Sequence, residues 1–195
     1  MVPKKFSFLK IYSDCFRYIK SCRKQIYSII SLFFIFAIIG FFVPISKEIM
    51  DIILEYIKQI LEQTKDLSMF QLISFIFLNN LQASFLGLTL GLLLGIFPVF
   101  FVIFNGYVLG VIASLTVSQE GLISLLKLFP HGIFELPAVF ISLGMGLKLG
   151  SFIFQKKKKE FFKKNISGSI KTFLFIILPL LLIAAIIEGV LIFLI

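Results

Sequence analysis

The chain has 195 residues, of which 59% are hydrophobic, 16% aromatic and 15% charged, and its formal net charge is +9. Soluble domains average about 45–50% apolar and about 25% charged residues, and the 26 Phe are far more than a soluble core of this size needs. These proportions exclude a soluble globular enzyme and indicate an integral membrane protein. The plainest local sign is residues 67–119, a run of 53 residues without Lys, Arg, Asp or Glu. As helix it would extend about 80 Å against a hydrocarbon core of about 30 Å, so it must cross the membrane at least twice.

In chain order, residues 1–25 form a basic amphipathic segment. Phe8, Leu9, Tyr12, Cys15, Phe16, Ile19 and Cys22 recur at helical spacing among Lys4, Lys5, Lys10, Arg17, Lys20, Arg23 and Lys24, as in a helix lying on the cytoplasmic interface. Cys15 and Cys22 show no Cys-x-x-Cys spacing and read as reduced structural thiols. Residues 26–43 are the first span, closed by Pro44. With no Ala-x-Ala-like exit, it reads as an uncleaved anchor. Residues 47–66 put Ile49, Ile53, Tyr56, Ile57, Ile60 and Leu61 on one face and hold five acidic residues against three Lys, which suits an outer interfacial helix.

The uncharged run divides near Gly95-Ile96-Phe97-Pro98 into a second span, 70–95, and a third, 99–117. Residues 121–130 could be a re-entrant or surface helix. The fourth span, 128–147, contains Pro130, His131, Glu135 and Pro137; residues 151–171 are a lysine-rich loop; and the fifth span, 173–195, carries Glu188. Five spans from a cytoplasmic N-terminus keep both lysine-rich segments inside and the acidic helix outside, with the C-terminus outside. That placement makes the positive charge a mark of membrane topology and anionic-lipid attraction, not of nucleic-acid binding. The expected fold is all-α: one polytopic bundle of about five transmembrane helices plus two amphipathic interfacial helices, in the cytoplasmic membrane, with the lipid bilayer as its first partner.

Two sets of residues stand out within the spans. Gly87, Gly91 and Gly95, then Gly106 and Gly110, then Gly146 and Gly150 are small residues at four-residue spacing. Such stripes let helix backbones approach closely in lipid, where no hydrophobic force drives helices together. Their occurrence in three spans favours packing inside one bundle over dimerisation, though oligomeric state stays open. The second set is polar: Asn79, Asn80, Asn105, His131, Glu135 and Glu188. An ionisable residue inside a span costs a few kcal/mol on insertion scales and therefore faces a partner, a cavity or water.

His131 and Glu135 lie one turn apart on the same helix face, with Pro130 suited to the first helical turn and Pro137 expected to kink the helix just below Glu135. Counted from the spans' outer ends, Glu135, Glu188, Asn79 and Asn80 reach similar depths in the outer leaflet and are expected to converge. Three readings remain open: a structural polar network, a pocket for a proton, ion or lipid-linked substrate, and a metal or acid–base site built on His131, Glu135 and Glu188. His-x-x-x-Glu alone is weak as a metal motif, and the sequence assigns no catalytic residue, metal or cofactor.

The stretch Phe129-Pro130-His131-Gly132-Ile133-Phe134-Glu135-Leu136-Pro137-Ala138 resembles the stage II sporulation protein M family. The likeness extends to Asn79-Asn80, to the Gly87, Gly91, Gly95 ladder, to Asn105-Gly106-x-x-x-Gly110, to Gly144-x-Gly146-x-x-x-Gly150 and to Glu188. The resemblance implies a five-span protein of the cytoplasmic membrane. Sporulation members act as the membrane scaffold for peptidoglycan-degrading partners during engulfment. It therefore implies a non-enzymatic scaffold or anchor with a partner in a cell-envelope complex. A transporter or channel-like protein, or an intramembrane metal-dependent hydrolase, would instead use the His131/Glu135/Glu188 cluster.

Overall fold

A backbone surrounded by hydrocarbon has no partner but itself, so long apolar runs become helices. The computed structural model describes residues 8–43 and 45–194, apart from the side chains of 126–131, 133, 134 and 194. Its helices are α1 (Phe8–Ser21), α2 (Arg23–Phe42), α3 (Lys47–Thr64), α4 (Met69–Thr89), α5 (Ile96–Glu120), α6 (Phe129–Gly150), α7 (Lys158–Thr172) and α8 (Leu178–Leu194). Short 3-10 pieces at Leu90–Leu92, Leu122–Leu128 and Ser151–Phe154, and a π turn at Phe173–Ile177, join or extend them. Five segments are long and apolar enough to cross a membrane: Arg23–Phe42, Met69–Leu92, Ile96–Glu120, Glu135–Phe154 and Lys158–Phe193. The protein is an all-α membrane bundle.

Helix α6 occupies the centre, packing against α2, α4 and α8, with Ala138, Leu143 and Met145 fully buried. Fixed pairings set the directions. Ser142 Oγ donates to the Ser84 carbonyl at 2.7 Å, while a Cβ on Gly150 would run into the Gly91 carbonyl and the Gly95 nitrogen. Residue numbers therefore rise together, and α4 and α6 are parallel. Gly106 lies against the Phe33 backbone and Gly110 against that of Ala37, so α2 and α5 are also parallel. Gly189 of α8 abuts Ile73 of α4, while Phe85 and Phe173 stack edge-on at 5.9 Å, so α8 is antiparallel to α4. Ile29, Phe33, Val102, Val139, Phe140 and Leu143 fill the space between α2, α5 and α6. On the other flank, Leu72, Ile76 and Ala185 close α4 onto α8.

The break between α4 and α5 falls at Leu94 and Gly95, with φ of 60° and 71°. Glycine takes this left-handed region without cost, and Leu does not. Because α5 starts at Ile96, before the expected 99, Pro98 sits in its first turn, where its missing N–H is no loss. Ser68 opens α4: its backbone N–H and hydroxyl both donate to Gln71 Oε1, at 2.9 and 2.8 Å. Helix α6 continues through Pro137.

The lysine-rich stretch 151–171, read from the sequence as a loop, is largely helix, and α7 runs through the π turn into α8. Lys and Glu are good helix formers, and Lys157 pairs with Glu160 at 3.3 Å. The deciding contribution is tertiary: Asn165, Ser169 and Thr172 are buried on one face of α7, against which α1 packs. Helix α1 also packs on the bundle: Cys15 within it and Cys22 just after it are buried free thiols, while Phe8, Leu9 and Phe16 stay exposed. Helix α3 is the opposite case. Capped by Ser46 Oγ, which accepts from the Ile49 N–H at 3.5 Å, it has Ile53 as its one buried residue.

Buried hydroxyls at the α4–α6 crossing give an opposed pair of expectations. Ser142→Ala removes the bond to the Ser84 carbonyl and should lower stability by about 1 kcal/mol. The Ser84 hydroxyl is itself buried and has no hydrogen-bond partner among the described residues. Ser84→Ala should therefore be neutral or slightly stabilising. Thermal unfolding of the two variants in one detergent checks the sign of each.

Candidate functional site

The polar residues singled out from the sequence divide by helix and exposure. Asn79 and Asn80 are on α4, Glu135 on α6 and Glu188 on α8, three helices that pack on one another. The Ser142–Ser84 bond fixes the register of α4 and α6. Stepping back seven residues on each parallel helix sets Glu135 level with Phe77, and stepping back four sets Asn80 level with Ala138. Glu188 precedes Gly189, which abuts Ile73, so its level on α4 is about one turn, or about 5 Å, from that of Glu135. Glu135, Glu188 and Asn80 thus fall within roughly two turns of one three-helix junction.

Burial differs among them. Asn80 is buried, Glu135 and Glu188 are half-buried and Asn79 is exposed, and neither carboxylate is without a partner. Asn105 is not part of this junction. It is exposed on α5, and its amide donates to the Phe101 carbonyl one turn back at 2.8 Å. A polar side chain at a lipid-facing position can satisfy itself on its own helix in this way, which depth along a span does not reveal. The His131 side chain lies outside the described residues, although position 131 falls one turn before Glu135 on α6. Among the described residues, which leave out the His131 side chain, no three His, Cys, Asp or Glu side chains group to hold a metal ion.

The glycines lie where helices touch. A Cβ on Gly91 would overlap the Gly146 backbone, one on Gly146 the Gly87 carbonyl, and one on Gly87 the Leu143 side chain. Gly95 faces Leu147. The contact surfaces are α4 and the turn that follows it on α6 for Gly87, Gly91, Gly95, Gly146 and Gly150, and α5 on α2 for Gly106 and Gly110.

A second polar constellation, which sequence reading missed, holds α1 to the bundle. Tyr18 Oη and Ser169 Oγ hydrogen-bond at 2.9 Å, and Gly168 leaves room for the Tyr18 ring. Lys148, near the end of α6, donates to the Ser21 carbonyl at 3.0 Å and to Ser21 Oγ at 2.8 Å. Its ammonium stands 5.2 Å from the centre of the Tyr18 ring. A cation here satisfies a carbonyl at the C-terminus of α1 and complements the negative end of its dipole. Burial pushes the Tyr18 phenol well above its usual range, with Cys22 adding to the effect. Burial likewise raises the Cys22 thiol against the opposing influence of the Lys148 charge. One signal could have found this cluster: Lys148 is the sole charged residue between Glu135 and Lys156, and such a lysine needs a partner.

An uncharacterized protein of Methanocaldococcus jannaschii is 36% identical over 116 residues, which cover 56% of this chain and 65% of that protein. The chain therefore spans just under two thirds of that relative's length. No solved structure matches it. Residues 29–191 match the family described as Stage II sporulation protein M, and with most of the bundle inside the match, the chain belongs to the stage II sporulation protein M family.

Proposed function

We propose that this protein is a non-enzymatic scaffold or anchor for a cell-envelope complex in the cytoplasmic membrane. On this reading α1 and α7 lie on the cytoplasmic side, and α3 and the C-terminus lie outside. The observation that carries it is α3. It is amphipathic and capped, yet only Ile53 is buried, while Ile52, Tyr56 and Leu61 stand exposed. A helix of this design that the bundle does not use for its own packing is suited to the interface, where it can hold a partner beside the outer surface. The family supports the same reading, since its sporulation members resemble a membrane platform more than a catalyst. The lysine-rich segments support the orientation by the positive-inside rule.

Affinity purification from the native membrane in mild detergent, with mass spectrometry, tests this reading. The expected result is a stoichiometric envelope protein that is lost when Ile52, Tyr56 and Leu61 are replaced together by Gln, with the bundle still folded. Recovery of the wild-type chain alone, or only with copies of itself, would sink the scaffold role.

A further inference from the structure

At the junction of α1 and α2 the chain turns within a single residue, Cys22, between two helices. The turn gathers Arg17, Lys20, Ser21, Arg23, Lys24 and Gln25 around an open recess of about 470 Å³. Four cations share this recess. Arg17 has a carboxylate near it, Asp14 at 3.7 Å and largely exposed. Among the described residues no carboxylate pairs with Lys20, Arg23 or Lys24. Ser21 is held in place from behind, because Lys148 binds both its carbonyl and its hydroxyl. Gln25 Oε1 is buried and has no hydrogen-bond donor among the described residues. The recess opens where the first membrane-spanning segment begins, at Arg23, which is headgroup depth for a helix that enters the bilayer there.

We propose that this recess is a binding site for an anionic phospholipid headgroup. The phosphate diester would be held by Lys20, Arg23 and Lys24 with Arg17 beside them, and the Gln25 side chain, which lines the recess, would turn its buried Oε1 outward to accept from a headgroup hydroxyl. Four converging cations supply what a phosphate needs: charge from the lysines and forked N–H donors from the arginines. A hydroxyl donor beside the phosphate satisfies Gln25 Oε1, one of the buried polar atoms without a hydrogen-bond partner among the described residues. A glycerol-type headgroup carries both. The site is separate from the polar residues of the α4–α6–α8 junction and does not depend on the scaffold role.

The test uses the full-length protein in detergent, with native mass spectrometry against added dioleoylphosphatidylglycerol. Two triple variants remove equal charge from different places: Lys20→Gln/Arg23→Gln/Lys24→Gln at the recess, and Lys156→Gln/Lys157→Gln/Lys158→Gln at the start of α7. All six positions are exposed, so both variants should fold, and their melting temperatures in detergent verify it. At about fivefold per basic residue near a phosphate, the recess variant should retain lipid at least tenfold less than wild type. The α7 variant should change by under about twofold.

Inorganic phosphate serves as the second arm. If it raises the melting temperature of wild type and not of the recess variant while the lipid fails to bind, the phosphate site stands with a soluble source and the lipid assignment falls. Equal loss of lipid in the two variants would mean a diffuse basic surface and would overturn the proposal, as would lipid retention unchanged by the recess variant.

Discussion

Gly91→Ala should destabilise the protein far more than Gly87→Ala, although both glycines face α6 from α4 and its 3-10 extension. A Cβ added at Gly91 would meet backbone atoms of Gly146, and backbone can retreat only if the two helices separate. A Cβ added at Gly87 would meet the tip of the Leu143 side chain, which can change rotamer. Overpacking costs about 1–3 kcal/mol, and a rigid backbone neighbour puts Gly91→Ala at the upper end of that range. Gly87→Ala also gains about 1 kcal/mol of helix propensity, which offsets much of its smaller strain and leaves the change near neutral. Helix separation at Gly91 would in addition pull Ser142 away from the Ser84 carbonyl. Thermal stability by size-exclusion after heating in detergent reads the ranking. Equal losses in the two variants would show that α4 and α6 do not meet backbone to backbone.

Lys148→Met should release α1 while leaving the bundle assembled. The variant loses two charge-assisted hydrogen bonds to Ser21 and the contact with the Tyr18 ring. A hydrogen bond to a charged group is worth about 1.5–3 kcal/mol and an exposed cation–π contact about 0.5–1 kcal/mol. Even the low end of that range corresponds to roughly a tenfold change in the docking equilibrium. Cys15 and Cys22 report it directly, being 1% and 0% exposed. Maleimide labelling of both thiols should accelerate about tenfold in Lys148→Met and less in Ser169→Ala, which removes only the neutral bond to Tyr18.

The pH dependence of this docking has a definite sign. Burial raises both the Cys22 thiol and the Tyr18 phenol, so the docked helix favours their protonated forms and the undocked helix ionises first. Docking is therefore strongest below the ordinary thiol range and weakens as pH climbs through about 9 and above. Wild-type labelling should rise with pH more steeply than thiolate formation alone requires. Labelling in Lys148→Met at the wild-type rate would show that Lys148 does not hold α1.

The parts of this architecture that could be read from sequence are those set by the solvent. The charge-free run between Asp66 and Glu120 had to cross hydrocarbon twice, and its break had to fall near Gly95 and Pro98, where helical hydrogen bonding is interrupted most cheaply. What escaped was tertiary. A lysine-rich segment with Asn165, Ser169 and Thr172 has the composition of a loop, and it is helical because those small polar groups lie beneath α1. Asn105 belongs to the same polar set in sequence, but composition says nothing of rotation about the helix axis, and it turns outward onto its own backbone. The four-residue spacing of glycines is visible in one dimension. Which helix each stripe meets depends on the parallel pairing of α4 with α6 and of α2 with α5, and only three dimensions supply that.

The pairing of α2 with α5 also bears on biogenesis. Among the described residues it is the most extensive helix contact, yet α2 ends at Phe42 and α5 ends at Glu120. At about 5–20 residues per second, a ribosome needs on the order of 10 s to make the chain between them. For that interval the first span resides in lipid with Gly40 and Ala37 exposed on a face shaped for a helix not yet synthesised. The central helix α6 emerges later still. Synthesis therefore presents the helices in a fixed order: α2 first, then α4, then its partner α5, and last the α6 that packs against α2 and α4. A chain halted before Ile96 carries an anchored helix whose packing face remains open to any other helix in the same membrane.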